Sequence, residues 1–141
     1  YGKRFARTAI DAAADALALD REALSRRVQT YSKGMRQKLG LIAAILTECP
    51  LLVLDEPMSG LDPMARAHVR NMLVARRAAG GCVFFSSHIL ADMSEMCDRV
   101  AILHDRKIVY CGTPAGLVAQ AGVPSLEAAF LSVIGMEREA A

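Results

Sequence analysis

The sequence has 141 residues, enough for one domain with its own core or for part of a larger one. Hydrophobic residues make up 53% of it and aromatic residues only 5%, so the core is expected to be mainly aliphatic. A formal net charge of +2 gives no strong attraction for nucleic acid, and the longest apolar runs are too short to span a bilayer. We therefore expect no nucleic-acid partner and no direct insertion into a membrane.

Four cysteines lie far apart, without the pair spacing of a metal site, at Cys49, Cys82, Cys97 and Cys111. Cys82 falls in an apolar segment, which is typical of a buried thiol in a reducing compartment. We expect three of the four to lie in or near the core. The first residue is Tyr1 and not Met, which predicts a processed chain or a piece of a longer protein.

The first part of the chain is predicted to be helical. An alanine-rich helix is expected over residues 3–19, with an apolar stripe formed by Phe5, Ala9, Ala13 and Ala16. Asp20 is a candidate N-cap of a short helix, and Ser32 of a longer one over residues 32–48.

Strands and helices are then expected to alternate, which predicts an α/β fold. Apolar strands at 51–54 and 82–85 flank a helix that begins at Asp62-Pro63 and ends near Gly80, because Asp is a good N-cap and Pro suits the first helical position. The buried stripe of that helix is predicted to be Ala65, Val69, Met72 and Leu73.

After the second strand we expect a helix over residues 89–97 and a hairpin turning at Asp105-Arg106. Thr113-Pro114 and Ser125 each begin a further helix. The apolar face of the last helix needs a packing partner, and it consists of Leu126, Ala129, Phe130, Val133 and Ile134.

Two acids follow directly after the first strand. The unbroken run Leu51 to Leu54 is typical of a strand buried on both faces, and it ends in Asp55 and Glu56. Open α/β sheets bind ligands beyond the carboxyl ends of their strands. Asp55 could hold Mg²⁺ through water, and Glu56 could polarise an attacking water.

Two further segments fit phosphate chemistry. Ser32, at a helix start with Gly34 nearby, presents a hydroxyl and backbone N–H groups to an anion, and the helix dipole adds favourable charge. His88 follows the second strand and two serines, where it could stabilise a terminal phosphate. A Ser-His-Asp hydrolase using Ser86 or Ser87 lacks a Gly-x-Ser-x-Gly elbow, so we set it aside.

These motifs resemble the ATP-binding subunits of ABC transporters. The signature segment (residues 31–37) resembles the family's signature motif, residues 51–56 its Walker B strand, and the D-loop segment (residues 59–62) its D-loop. His88 matches the switch histidine, and residues 98–112 are similar to the hairpin that follows it. Residues 125–131 resemble the C-terminal segment of the drug-, lipid- and polysaccharide-export branches.

The resemblance implies a role for each matching residue. ATP and Mg²⁺ would be the cofactors, with Asp55 serving Mg²⁺ through water, Glu56 as the catalytic base and His88 as the γ-phosphate sensor. In a head-to-tail dimer the signature segment would contact the ATP of the opposite subunit through Ser32, Lys33, Gly34 and Met35. Coupling of the two sites would fall to Ser59, Gly60 and Asp62. Lys33 stands where glycine is common, and Met35 where glutamine is common.

A phosphate-binding loop is missing from the sequence. Gly2-Lys3 is followed by Arg4 and has no glycine before it, so it does not match Gly-x-x-x-x-Gly-Lys-Ser/Thr. We therefore expect the distal half of a P-loop NTPase-like core with part of a helical subdomain. Residues 1–48 would belong to the helical subdomain, 49–122 to the nucleotide-binding core and 123–141 to a C-terminal helix and tail.

The resemblance thus implies an ATP-hydrolysing subunit that drives export, with a second ATPase subunit and a transmembrane permease as partners. It would be cytoplasmic, peripheral at the inner face of the cell membrane. The isolated chain is predicted to be inactive, because it has no phosphate loop. The alternative is a truncated, non-catalytic interaction module that donates a signature motif or binds a partner subunit.

Overall fold

The computed structural model describes residues 4–135. Residues 1–3, at the predicted start of the first helix, and residues 136–141, in the predicted C-terminal tail, lie outside the described residues. The chain divides into two compact units, one up to Ser86 and one from Ser87 onward.

The first unit begins with the predicted helices. α1 is Arg7–Ala16 and α2 is Lys33–Leu46, with short 3₁₀ helices at Arg21–Ser25 and Val28–Thr30 between them. The predicted caps are confirmed: Asp20 accepts a hydrogen bond from Glu22 N, and Ser32 accepts one from Met35 N. Each cap satisfies a backbone N–H that the first helical turn leaves without a partner.

The predicted stripe on α1 is wrong. Ala14 is buried and Ile10 half-buried, and Leu17 just beyond the helix is buried, whereas Phe5, Ala9 and Ala16 are exposed. The helix begins at Arg7, so Phe5 precedes it. The face that packs against α2 therefore follows i, i+4 and i+7 from Ile10.

The second half of this unit is a strand–helix–strand arrangement. β1 is Leu51–Leu54, α3 is Pro63–Ala78 and β2 is Cys82–Phe85. The strands pair in parallel, with Leu51 opposite Cys82 and Leu54 opposite Phe85. The predicted core stripe of α3 is confirmed, with Met72 half-buried and three residues buried, Ala65, Val69 and Leu73.

Burial of both strand faces is a prediction that the structure contradicts. Leu52 is buried, but Leu51 is 51% exposed, Val53 67% and Phe84 62%. Side chains alternate along a strand, and one face of this two-stranded sheet faces solvent. The prediction that three of the four cysteines lie in or near the core is also wrong: Cys97 is half-buried, and the exposed ones are Cys49, Cys82 and Cys111. The solvent-facing side of this sheet accounts for Cys82.

The second unit holds the predicted hairpin and the last helices. α4 is Leu90–Met96, α5 is Pro114–Ala121 and α6 is Leu126–Val133. The strands of the hairpin are β3 (Val100–His104) and β4 (Lys107–Gly112). β3 and β4 are antiparallel, and both residues of their turn, Asp105 and Arg106, have positive φ, at 47° and 63°. Left-handed residues of this kind suit the twist of a two-residue hairpin.

The core of the second unit is aliphatic, as the composition predicts. Ile102, Leu117 and Ala129 are its buried centre. The apolar face of α6 packs on this centre, which confirms the expected packing partner, through Leu126, Phe130, Val133 and Ile134. Thr113 and Ser125 cap α5 and α6 as predicted, by accepting from Gly116 N and Ala128 N.

The structure confirms the mixed α/β class, with a parallel strand pair and flanking helices. Within residues 4–135, no single helix has the length and apolar character needed to cross a membrane, and the pair α5 and α6 meets that test only when taken together across a bend of 67°.

Candidate functional site

The first turn of α2 forms an anion-attracting pole. Ser32 Oγ accepts a hydrogen bond of 3.1 Å from Met35 N. The helix geometry leaves the N–H groups of Lys33 and Gly34 without an intrahelical acceptor, and the positive end of the helix dipole lies here. Both Ser32 and Lys33 are exposed, so an approaching phosphate oxygen can reach this turn.

The signature segment and the D-loop segment lie side by side in the first unit. They line a cleft of about 340 Å³ together with the chain that follows α1. The lining residues from the two segments are Ser32, Gly34, Met35, Gly60, Leu61 and Asp62. Further along the same cleft, Asp20, Arg26 and Lys38 supply charged side chains. The fold therefore brings the predicted nucleotide-contacting and coupling residues together.

Glycine is favoured at one contact between these segments. A Cβ at Gly60 would lie 3.2 Å from both Cδ and Cε of Lys33, and Gly60 has a φ of 71°. Only glycine adopts this conformation without steric cost. The Lys33 side chain therefore lies directly over the D-loop backbone. Gly34 is also near, since a Cβ there would lie 3.6 Å from Leu61 Cδ2.

Asp62 has a structural task besides its predicted coupling role. Its Oδ1 accepts a hydrogen bond of 2.9 Å from Ala65 N and so caps α3. This hydrogen bond lowers the pKa of the Asp62 carboxyl, against an opposing effect of desolvation, and the positive charge of Lys38 lowers it further. Ser59, earlier in the same segment, is half-buried, and its N–H donates to Glu56 O at 3.0 Å.

Asp55 and Glu56 are joined to the neighbouring strand by one side chain. Ser86 Oγ donates to Asp55 Oδ1 at 2.5 Å and accepts from Glu56 N at 2.8 Å. Because Leu54 pairs with Phe85, Ser86 is the residue that comes level with the acids. Asp55 is exposed and Glu56 half-buried, and both follow the carboxyl end of β1, where open α/β sheets bind ligands.

Gln37 connects α2 to the same strand end. Its Nε2 donates to Glu56 O at 3.3 Å and to Pro57 O at 3.0 Å. Glu56 has a φ of 42°, an unusual left-handed value for a residue with a side chain. The backbone therefore turns after Asp55, and Gln37 donates to the two carbonyls at this turn.

His88 lies near the start of the second unit. It is exposed and follows Ser87, whose Oγ accepts a hydrogen bond of 3.1 Å from Ile89 N just before α4. The serine thus orders the backbone on the far side of the histidine.

Ser86 and Gln37 are the residues that sequence reasoning missed. Ser86 lies in a segment that the sequence singles out, yet its role depends on the register of β1 and β2. A predicted parallel register could have identified Ser86, since both strands are predicted and the residues that directly follow them would lie side by side. Gln37 carries no comparable signal, because its acceptors are backbone atoms far along the chain.

The donor chemistry at Asp55 fits Mg²⁺. Mg²⁺ is usually held by one or two carboxylates, with water and substrate phosphates completing its shell, and Asp55 offers one exposed carboxylate. Across residues 4–135, no group of three or more His, Cys, Asp and Glu side chains could hold a metal ion as a protein cage. A hydrated cation shared with phosphate is therefore the kind that this strand end suits.

Comparison with known proteins places the chain in a family. Residues 5–92 match the model described as "AAA domain, putative AbiEii toxin, Type IV TA system". An ABC transporter ATP-binding protein of Nostoc sp. is 42% identical over 92 residues, which cover 65% of this chain and 28% of the relative. A fluoroquinolones export ATP-binding protein of Mycobacterium tuberculosis is 39% identical over 90 residues, 64% of this chain and 30% of the relative.

A solved structure extends the match to the fold. It is the ATP-binding subunit of an ABC transporter, and it superposes with a TM-score of 0.70 at 29% identity over 94% of this chain and 63% of its own. The match to the two curated relatives spans less than a third of their length. The chain belongs to the AAA domain family of this model. Over the matched residues it is similar to ATP-binding proteins of ABC transporters.

Proposed function

We propose that this chain is the signature-bearing part of a subunit that hydrolyses ATP to drive transport out of the cell. The observation that carries the proposal is the joint arrangement of an anion-attracting helix start, a D-loop segment beside it and an acid pair at a strand end. Export is the direction supported by the fluoroquinolones export protein of Mycobacterium tuberculosis among the relatives. Residues 125–131 support the same direction through their resemblance to export branches.

The acid pair would divide two tasks. Glu56 acts as the general base that takes a proton from the attacking water, and Asp55 orients the water shell of Mg²⁺. When bound, Mg²⁺ supplies positive charge that neutralises the phosphate oxygens. Ser86 fixes the Asp55 carboxylate and the Glu56 backbone in one hydrogen-bonded unit. His88 donates to the γ-phosphate from the segment that follows β2.

The signature segment would act on a second molecule of ATP. Ser32, Lys33, Gly34 and Met35 contact the γ-phosphate held by the opposite subunit of a head-to-tail dimer. Ser59, Gly60 and Asp62 couple the two sites, and Lys33 lying over Gly60 supports this coupling. A transmembrane permease is the other partner, which locates the subunit on the cytoplasmic side at the inner face of the membrane.

We propose that the chain is divided into three parts, with the signature segment and the acid pair in different parts. Residues 1–48 form part of the helical subdomain that ends in the signature helix, and residues 49–122 form the distal half of the nucleotide-binding core. Residues 123–141 form the C-terminal helix and tail. The phosphate loop that holds ATP comes from the preceding part of the longer subunit.

A mixed dimer of the longer subunit tests the head-to-tail arrangement. One defect is Glu56→Gln, and the other is Gly34→Asp, which puts a carboxylate at the anion pole. A Cβ at Gly34 meets only ordinary contacts, and an acid suits the first turn of a helix, so this variant should fold. Gly34→Asn is the matched neutral control.

The placement of the two defects decides the result. Each site of the proposed dimer combines the acids of one subunit with the signature turn of the other. With one defect in each subunit, both defects therefore fall on the same site, and the other site keeps its activity. With both defects in one subunit, each site carries one, and hydrolysis is lost. Equal ATPase rates for the two placements would contradict the shared-site arrangement.

The 141-residue chain alone should not turn over ATP. It contains no Gly-x-x-x-x-Gly-Lys-Ser/Thr segment to hold the β- and γ-phosphates. Phosphate release by the purified chain should therefore equal that of its Glu56→Gln variant. A rate above that control would contradict the proposal that the phosphate loop lies elsewhere in the subunit.

A non-catalytic interaction module is the second candidate. The exposed apolar side chains of Leu51, Val53 and Phe84 favour it, because they form a surface suited to association with another protein. Light scattering on the purified chain tests whether this surface associates. Concentration-dependent association supports an interaction surface, whereas a stable monomer argues against it.

A further inference from the structure

Ser86 and Gln37 hold the backbone of Glu56 at its N–H and at its carbonyl, which belong to successive peptide groups. Ser86 Oγ accepts from Glu56 N at 2.8 Å, and Gln37 Nε2 donates to Glu56 O at 3.3 Å. Gln37 Nε2 also donates to Pro57 O at 3.0 Å, so its amide spans two successive carbonyls. Pro57 is buried, and its ring fixes the backbone angle that follows Glu56.

This pair of contacts lies where the backbone is strained. Glu56 has a φ of 42°, a conformation that places the Cβ of an L-residue close to its own carbonyl. Such a conformation persists only where the surroundings hold it, and it is concentrated at functional sites. The direction of the Glu56 side chain follows from this backbone angle. Any group that holds the angle therefore aims the carboxylate.

Gln37 differs from Ser86 in the element that carries it. It lies on α2, and the first turn of the same helix carries Ser32 and Gly34. α2 is a continuous helix of 14 residues, and Gln37 lies about one turn beyond Gly34 in this same element. The signature turn and the Glu56 peptide of one chain are thus joined by one helix and one side-chain amide.

We propose that Gln37 is a positioning residue that ties the signature helix to the catalytic carboxylate of its own chain. The inference rests on the proposed function, in which the signature turn contacts the ATP of the opposite subunit. Occupancy of that site then moves or steadies α2, and Gln37 passes the effect to Glu56 at the other site. The two sites of the dimer are coupled within each chain as well as across the interface.

Two substitutions in the longer subunit test the hydrogen bonds of Gln37. Gln37→Met keeps the length of the side chain and removes the donors, and Gln37→Lys restores donors to the same carbonyls. We expect Gln37→Met to lower kcat about tenfold, the effect of losing one or two hydrogen bonds that aim a catalytic group, with KM for ATP within about twofold. Gln37→Lys should recover most of kcat.

The matched control is Gln29→Met. Gln29 is exposed in a 3₁₀ helix, and its substitution should leave kcat and thermal stability unchanged. If Gln37→Met lowered kcat only in proportion to a loss of folded protein, or if Gln37→Lys failed to recover activity, the positioning role would be overturned.

A mixed dimer shows on which site Gln37 acts. In a dimer with one Glu56→Gln subunit, a single intact Glu56 does the chemistry. Gln37→Met in the subunit that keeps Glu56 should lower the remaining rate about tenfold. The same substitution in the Glu56→Gln subunit, whose signature turn faces the active site, should cost little.

A loss of rate only when Gln37→Met lies in the Glu56→Gln subunit would show that Gln37 supports the signature turn and does not aim Glu56. That result overturns this inference and leaves the proposed function intact. If wild-type dimers show no hydrolysis that depends on Glu56, both the inference and the proposed function fail.

Discussion

Ser86 Oγ, at the end of β2, donates a hydrogen bond of 2.5 Å to the Asp55 carboxylate at the end of β1. The parallel register brings the two residues level, because Leu54 and Phe85 are paired one position earlier. The same hydroxyl accepts from the N–H of Glu56. One side chain that follows the neighbouring strand therefore binds the carboxylate of Asp55 and the backbone of Glu56.

Ser86→Ala should lower the rate of hydrolysis in the longer subunit. The substitution removes the donor to Asp55 and the acceptor for Glu56 N, so the Asp55 carboxylate and the Glu56 backbone each lose a hydrogen bond. We expect kcat to fall about tenfold, since each hydrogen bond to a charged group contributes about 1.5–3 kcal/mol. Ser86→Thr keeps the hydroxyl and should stay near the wild-type rate. Steady-state kinetics that give Ser86→Ala the wild-type kcat would refute this role.

Gly60→Ala should disturb the contact between the D-loop and signature segments. The added Cβ would lie 3.2 Å from the Lys33 side chain, and the φ of 71° costs a residue with a side chain about 1–2 kcal/mol. We expect a lower free energy of unfolding together with a lower ATPase rate in the dimer. Urea unfolding and phosphate release measure the two effects.

The control for Gly60 is Gly122→Ala. Gly122 has a similar φ of 67°, at the end of α5, and a Cβ there would meet no atom within 4 Å. It should show the same loss of stability without the loss of ATPase activity. Equal effects of the two substitutions on ATPase activity would mean that the contact with Lys33 has no coupling role.

Asp62 predicts a specific pH dependence of stability. The hydrogen bond from Ala65 N, aided by the charge of Lys38, lowers the pKa of Asp62 in the folded chain. Its contribution to stability is therefore fully present above the unfolded pKa of about 3.9 and is lost as pH falls through the lower folded pKa. Asp62→Asn keeps a capping oxygen but cannot titrate.

Urea unfolding of wild type and Asp62→Asn across pH measures this contribution. The stability difference between them should be largest near neutral pH and shrink below about pH 4. Asp15, whose pKa is lowered by its hydrogen bond to Arg21, titrates in the same range but is present in both proteins, so its effect cancels. A difference that does not change with pH would contradict the assignment to the Asp62 charge.

Local signals predicted most of the elements. Ser32, Asp62, Thr113 and Ser125 each begin a helix as expected, because an N-cap acts on the backbone only a few residues away. The hairpin turn at Asp105-Arg106 was predictable for the same reason. Helix caps and tight turns depend on residues only a few positions apart, so a single sequence is enough to predict them.

Features that depend on distant contacts were harder to predict. The buried face of α1 was misassigned because alanine-rich segments give little contrast between faces, and Leu17 and not Phe5 turned out to be buried. The roles of Ser86 and Gln37 depend on pairing between segments that are far apart in the chain. The sequence alone predicted the acids at the strand end, but not the side chains that hold them.

The most direct test of the account is ATP turnover by the dimeric longer subunit, wild type against Glu56→Gln. The exposed Glu48 provides a matched control, Glu48→Gln, with the same change of charge outside the site. We predict that Glu56→Gln lowers kcat by at least about 100-fold, as expected for loss of a general base, while Glu48→Gln keeps the wild-type rate. Hydrolysis at the wild-type rate by Glu56→Gln would contradict the central claim.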